Sequence, residues 1–137
     1  GGETSIAPIL HKIAERIHKR GLIILISDLF DDPQKTFNGL KHFKYNGHEV
    51  VIFHILDPME MELNFKERTR FIDKETGKNI TTDPWHIKDA YKEQIQDFCN
   101  FYKSNCRKNK MDYVQIFTNQ NLDEVVANYL IKRNALK

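Results

Sequence analysis

Cysteine is scarce: Cys99 and Cys106 are the only two in 137 residues. They lie in a stretch with helical spacing, about 10 Å apart along the axis at ~1.5 Å rise per residue, which is too far to bridge. A disulfide framework is excluded, and both read as free, core-facing thiols in a reducing compartment. No apolar run approaches the roughly 20 residues of a membrane-spanning helix, and no signal peptide is expected, so this segment is expected in the cytoplasm. Neither charge sign dominates: 21 basic side chains against 19 acidic ones leave a net charge of +2, which gives no general reason to expect a nucleic-acid partner. The glycines form no phosphate-cradling loop, since Gly21 precedes a strand and Gly47 sits between a helix and a strand. His11, His18, His42, His48, His54 and His86 include no i, i+4 pair of the helical zinc type. Ser27 lies outside any G-x-S-x-G elbow, which argues against a hydrolase nucleophile. Asp28, Asp31 and Asp32 lack the alternate-residue spacing of a phosphotransfer aspartate.

What is present has the length of one domain, residues 1–137, with the 40% hydrophobic and 29% charged composition of a globular protein. The organising stretch runs from Arg20 to Pro33. Leu22 to Ile26 form an unbroken, largely β-branched run that reads as a strand buried on both faces, as in a parallel sheet flanked by helices. The preceding helix carries Ile6, Ile9, Leu10, Ile13 and Ile17 in one stripe. A second helix is expected from about Pro33 to Tyr45, with Asp32 as its cap, Pro33 in its first turn, Phe37, Leu40 and Phe43 as its buried edge, and Asn46-Gly47 as its stop. Asp31 reads with Asp32 as a helix-entry acid. Val50 to Leu56, ended by Asp57-Pro58, is a second buried parallel strand.

The helix, strand, helix, strand order predicts right-handed crossovers and a mainly parallel, three-layer α/β architecture. Between Met61 and Thr82 the alternating pattern predicts a small antiparallel hairpin turning around Lys74 to Lys78. Asp83-Pro84 opens a long helix to about Lys108, with Ile87, Tyr91, Ile95, Phe98, Cys99, Tyr102 and Cys106 on its core side. Asp112 to Phe117 is the third strand. A last helix, capped by Asn121 with Glu124 three residues on, is expected to bury Leu122, Val125, Val126, Tyr129 and Leu130.

Chemistry is expected at the carboxyl ends of the strands, where open α/β sheets bind ligands. Ser27, Asp28, Asp57 and Thr118 lie there, and Thr4 lies in the loop before the first helix. Hard oxygen donors at strand tips can begin a Mg2+ site; a turn and cap role for Ser27 and Asp28 explains the same residues. A hydroxyl and one carboxylate supply too few fixed ligands for tight binding.

Gly1-Gly-Glu-Thr-Ser-Ile6, a helix, and then Leu25-Ile-Ser-Asp28 on a buried strand resemble the C-terminal half of a von Willebrand factor A-like domain, a doubly wound, Rossmann-like fold. That family's metal-ion-dependent adhesion site combines a D-x-S-x-S loop, a threonine and a strand-end aspartate in T-D-G. Thr4 matches the threonine and Asp28 the aspartate, with Ser27 as a supporting contact. D-x-S-x-S is absent, and T-D-G is replaced by Ser27-Asp28-Leu29, which alters the turn at the glycine. More specifically, Arg20 to Pro33, Gly47-His-Glu-Val50, His54-Ile-Leu-Asp-Pro58, Phe71 to Gly77 and Asp112-Tyr113 resemble the prokaryotic family called domain of unknown function 58.

That resemblance implies larger parent proteins, often with membrane-spanning segments upstream, acting with MoxR-type AAA+ ATPases in protein assembly. It implies a protein-interaction module rather than an enzyme, with an incomplete adhesion site at Thr4, Ser27 and Asp28. Mg2+ would belong to the intact domain, with none expected on this chain. The family's sheet order makes Leu22 to Ile26 an open edge, so a homodimer through residues 22–26 is expected. Two alternatives are a hydrolase or phosphoryl-transfer enzyme using Asp28 with Asp57, and a structural half-domain with a degenerate site.

Overall fold

The computed structural model describes residues 5–59 and 84–135, with side chains in the second span from Asp89 onward. The order is α1 (Ile6–Arg16), β1 (Leu22–Ser27), α2 (Pro33–Tyr45), β2 (Glu49–Leu56), α3 (Pro84–Lys108), β3 (Asp112–Phe117) and α4 (Leu122–Ala135). The three strands are parallel in the order β1-β2-β3. The expected hairpin between Met61 and Thr82 lies outside the described residues, as do Thr4 and the side chain of Ile87.

Alternate residues of β2 build the two sides of the sheet. Val50 and Ile52 join Leu10 and Ala14 of α1, Phe37, Leu40 and Phe43 of α2, and Tyr102 and Cys106 of α3 in the larger core. Val51 and Phe53 face the other way and, with Ile116, meet Val125, Val126 and Tyr129 of α4. The result is the three-layer, mainly parallel α/β architecture expected from the sequence, with three helices on one face and α4 on the other. Both cysteines are free and buried on α3.

The local signals act as read. Asp32 Oδ1 accepts the Lys35 amide at 3.0 Å, and Pro33 opens α2. At the other end Gly47 takes φ +89°, and the His48 and Gly47 amides donate to the Phe43 and Lys44 carbonyls. This paired closure suits a left-handed residue, which glycine adopts without a Cβ penalty.

Three packing expectations need correction. On α1 the buried residues are Ala7, Leu10 and Ala14, while Ile9 and Ile13 are 45% and 42% exposed. The cause is close helix approach: a Cβ added to Gly39 of α2 would stand 2.9 Å from Leu10 Cβ, so the small residues of α1 turn toward α2. Among the described residues α4 sits over β2 and β3, and on that face of β1 only Leu22 joins its cluster; Ile24 and Ile26, paired with Val51 and Phe53, remain 39% and 42% exposed. β1 is also an edge strand among the described residues. Finally, α4 buries no residue completely, and Leu122 is 37% exposed. With α4 the one helix on that face among the described residues, Val125, Val126 and Tyr129 are half-buried rather than enclosed.

Candidate functional site

β1 ends in a turn made by its own polar side chains. Ser27 Oγ accepts the Leu29 amide at 2.9 Å, and Asp28 Oδ1 accepts the Phe30 amide at 3.0 Å. Such short side-chain-to-backbone bonds are how serine and aspartate set turns. Leu29 between them has φ +61°, the left-handed conformation that costs a branched or bulky residue about 1–2 kcal/mol. Leucine therefore stands here in the conformation that glycine would take freely. Burial of the Leu29 side chain, 1% exposed among α1, α2 and α3 residues, holds it there.

Asp31 does something the sequence did not announce. Its Oδ2 accepts the Ile6 amide at 2.7 Å and its Oδ1 the Asp32 amide at 2.8 Å. Ser5, at the N-cap position of α1, makes no side-chain cap bond to the helix. Asp31 thus caps α1 from across the chain, and these backbone bonds hold its carboxyl below the usual range. The start of α1 and the end of β1 share one rim, although Thr4 itself lies outside the described residues. Ser27 and Asp28 are together at that rim. Asp57 follows β2 and accepts the Met59 amide at 2.9 Å. Among the described residues there is no group of three or more His, Cys, Asp or Glu side chains able to hold a metal ion.

Below the rim lies a histidine that reading Val50 to Leu56 as an apolar strand passed over. His54 is fully buried among the rings of Phe98, Tyr102 and Tyr113. Gln115 Nε2 donates to the Tyr113 hydroxyl at 3.2 Å, and that hydroxyl lies 2.6 Å from His54 Nδ1. With its oxygen accepting from Gln115, Tyr113 donates its proton to Nδ1. Nε2–H then donates to the Asp28 carbonyl, 3.2 Å away. The relay joins β3, β2 and the tip of β1 and satisfies both imidazole nitrogens. Burial lowers the His54 pKa below its ordinary value, and the Asp28 carbonyl and charge offset this in part. The available signal was one ring nitrogen pair inside an otherwise apolar buried strand, which demands partners.

Between this relay and the helix is a pocket of about 200 Å³ lined by Asp28, Phe30, His54, Ile55, Leu56, Tyr91, Gln94, Ile95 and Phe98. Its walls are mainly apolar, and the exposed Asp28 at the tip of β1 is among its lining residues. Phe30 is 67% exposed and stacks on Phe98, ring centres 6.3 Å apart. A larger, more open hollow of about 540 Å³ lies at the amino ends of the strands. Its Arg133 is already paired with Glu49 and stands 3.9 Å from Asp112. No described helix is long and apolar enough to cross a membrane.

No curated protein and no solved structure matches the chain. A family model does, over residues 1–98, a span that contains every described residue lining the strand-tip pocket. That match takes in α1, β1, α2, β2 and the start of α3, well over half of the sequence, and the chain belongs to the family described as Protein of unknown function DUF58.

Proposed function

We propose that this chain is a non-enzymatic protein-interaction module whose recognition surface is the carboxyl end of the sheet around Asp28, Phe30 and the pocket beneath them. The observation that carries this reading is the commitment of His54. Among the described residues it is the one imidazole lining the pocket, and both of its nitrogens are used to hold Tyr113 and Asp28. A general base must reach its substrate's proton. Asp28 and Asp57 each accept the amide of the residue two further on, as turn-forming acids do. An exposed aromatic beside a small apolar pocket is the usual composition of an interface hot spot.

The parallel strands, the Ser27-Asp28 tip and the left-handed Leu29 support the finer reading as the C-terminal half of a von Willebrand factor A-like domain. In the intact domain Thr4, Ser27 and Asp28 would contribute to a Mg2+ site, which needs about six oxygens. On this chain they are too few, so Asp28 acts as a bare carboxylate. Sub-millimolar Mg2+ binding abolished by Asp28→Ala would overturn that assignment. The uncovered Ile24 and Ile26 on an edge strand support self-association through residues 22–26. A monomeric mass by light scattering at micromolar concentration counts against it.

A MoxR-type AAA+ ATPase is the partner proposed for the rim. Biolayer interferometry between the two purified proteins tests it: Phe30→Ala should weaken binding by about tenfold or more, the size of a hot-spot loss. Equal binding by the wild type and the variant refutes the proposed surface.

A further inference from the structure

The chemistry of the strand-tip pocket narrows what it can receive, on the reading that this rim is a protein-binding surface. Its volume of about 200 Å³ falls below the ~300–1,000 Å³ of sites for drug-sized ligands, and suits one side chain. Leu56, Ile95 and Phe98 give it apolar walls, which favour a long aliphatic stem. The mouth carries the opposite chemistry. Asp28 borders the pocket, no Lys or Arg among the described residues lines it, and Asp28 forms no ion pair with any described residue. Asp31, Asp32 and Asp57 extend the acidic character around the ends of β1 and β2. An acidic partner side chain would be repelled here. A purely apolar one would leave Asp28 partly desolvated and without a counter-charge, which is costly.

We propose that this pocket takes one arginine side chain of a protein partner, its stem against Leu56, Ile95 and Phe98, its guanidinium on the Asp28 carboxylate and against the exposed side of the Phe30 ring. Arginine fits better than lysine for two reasons. Its planar fork matches a carboxylate, and its weakly hydrated face stacks on an aromatic ring. Phe30, already stacked on Phe98 and largely exposed, supplies that ring at the pocket mouth. The turn that presents Asp28 is held from below by His54, so the carboxylate is fixed before the partner arrives.

The test uses the whole chain, labelled with 15N, and three small probes: N-acetyl-arginine amide, its uncharged isostere N-acetyl-citrulline amide, and N-acetyl-norleucine amide. Arginine amide should give saturable amide shifts confined to Asp28–Phe30, His54–Leu56 and Tyr91–Phe98. Citrulline and norleucine amides should bind about tenfold or more weakly, the loss of one charge-assisted contact. Asp28→Asn should bring arginine down to the citrulline level while the spectrum stays folded. Should Asp28→Asn unfold the chain, Phe30→Ala and the salt dependence of wild-type binding replace it, and binding that is insensitive to both overturns the proposal. Equal binding of arginine and citrulline amides, or shifts mapping elsewhere, also overturns it. The outcome is separable from the interaction reading. Selective arginine binding with unchanged ATPase binding by Phe30→Ala removes that partner surface and keeps the arginine pocket. Loss of partner binding together with equal arginine and citrulline affinities does the reverse.

Discussion

Replacing His54 by glutamine tests the relay beneath the rim through the dependence of folding on pH. In the folded chain the imidazole is fully buried, and its burial lowers its pKa below the ordinary value of 6.5. In the unfolded chain the same group titrates near about 6.5. As pH falls through that value the unfolded state takes up a proton that the folded state refuses, so stability present above pH ~6.5 is lost on acidification. The limiting slope for one proton is about 1.4 kcal/mol per pH unit, continuing down to the folded pKa. Glutamine can replace a donor and an acceptor but cannot titrate. At neutral pH His54→Gln should still lower stability by about 1–3 kcal/mol, because the Tyr113 hydroxyl and the Asp28 carbonyl lose well-placed partners. Urea unfolding of both proteins at several values from pH 7.5 down to 5.0 gives the comparison. The gap between wild type and variant should be widest near pH 7.5 and narrow steadily below about pH 6.5. Parallel curves would show that His54 is not held neutral by burial, and the relay as drawn would fail.

Other outcomes follow from single contacts. Gly39→Ala places a Cβ 2.9 Å from Leu10 Cβ, so urea unfolding should show a loss of about 1–3 kcal/mol as α1 is pushed from α2. Gly21→Ala, with nothing within 4 Å of the added carbon, should stay within about 0.5 kcal/mol of wild type. Leu29→Gly removes left-handed strain of about 1–2 kcal/mol but deletes a buried side chain whose loss costs about 2–5 kcal/mol, so the variant should be less stable. A more stable Leu29→Gly variant would mean that strain outweighs packing at the tip. Cys106, its thiol pushed up to about 12 by burial, and Cys99, raised for the same reason, should resist a disulfide reagent at pH 8 in the folded chain and react once it is unfolded.

Much of the fold was legible because its signals are local. The bounds of α2 and β3, the Asp32 cap and the Gly47 closure each depend on residues within a few positions of one another, where turn and cap chemistry acts. The unread features depend on partners distant in sequence. Ile9 and Ile13 have the same periodicity as Leu10, and only the approach of Gly39 decides which side of α1 is buried. β1 has the composition of a strand covered on both faces, yet the position of α4 leaves Ile24 and Ile26 open. The position of Ser27 and Asp28 at the end of β1 was legible because the apolar run stops there. His54 was passed over, and Asp31 was read as an entry acid of α2 rather than as the cap of α1, because their partners are 59 and 25 residues away.

Those two missed residues explain how an unfavourable turn can be a fixed one. Leu29 alone would leave the left-handed region, since each alternative conformation is lower in energy for a leucine. Three bonds oppose that escape: Ser27 takes its amide, Asp31 donates an amide to its carbonyl at 2.8 Å, and His54 holds the preceding carbonyl of Asp28. Each bond is worth only about 0.5–1.5 kcal/mol by itself, but together with burial of the leucine they exceed the strain. The Asp28 carboxylate is therefore carried on a backbone whose geometry is set by β2, β3 and α1 at once. Loosening it at any one of these points should lower affinity for a ligand at the rim before it unfolds the chain, because a carboxylate that must be ordered on binding loses the advantage of pre-organisation.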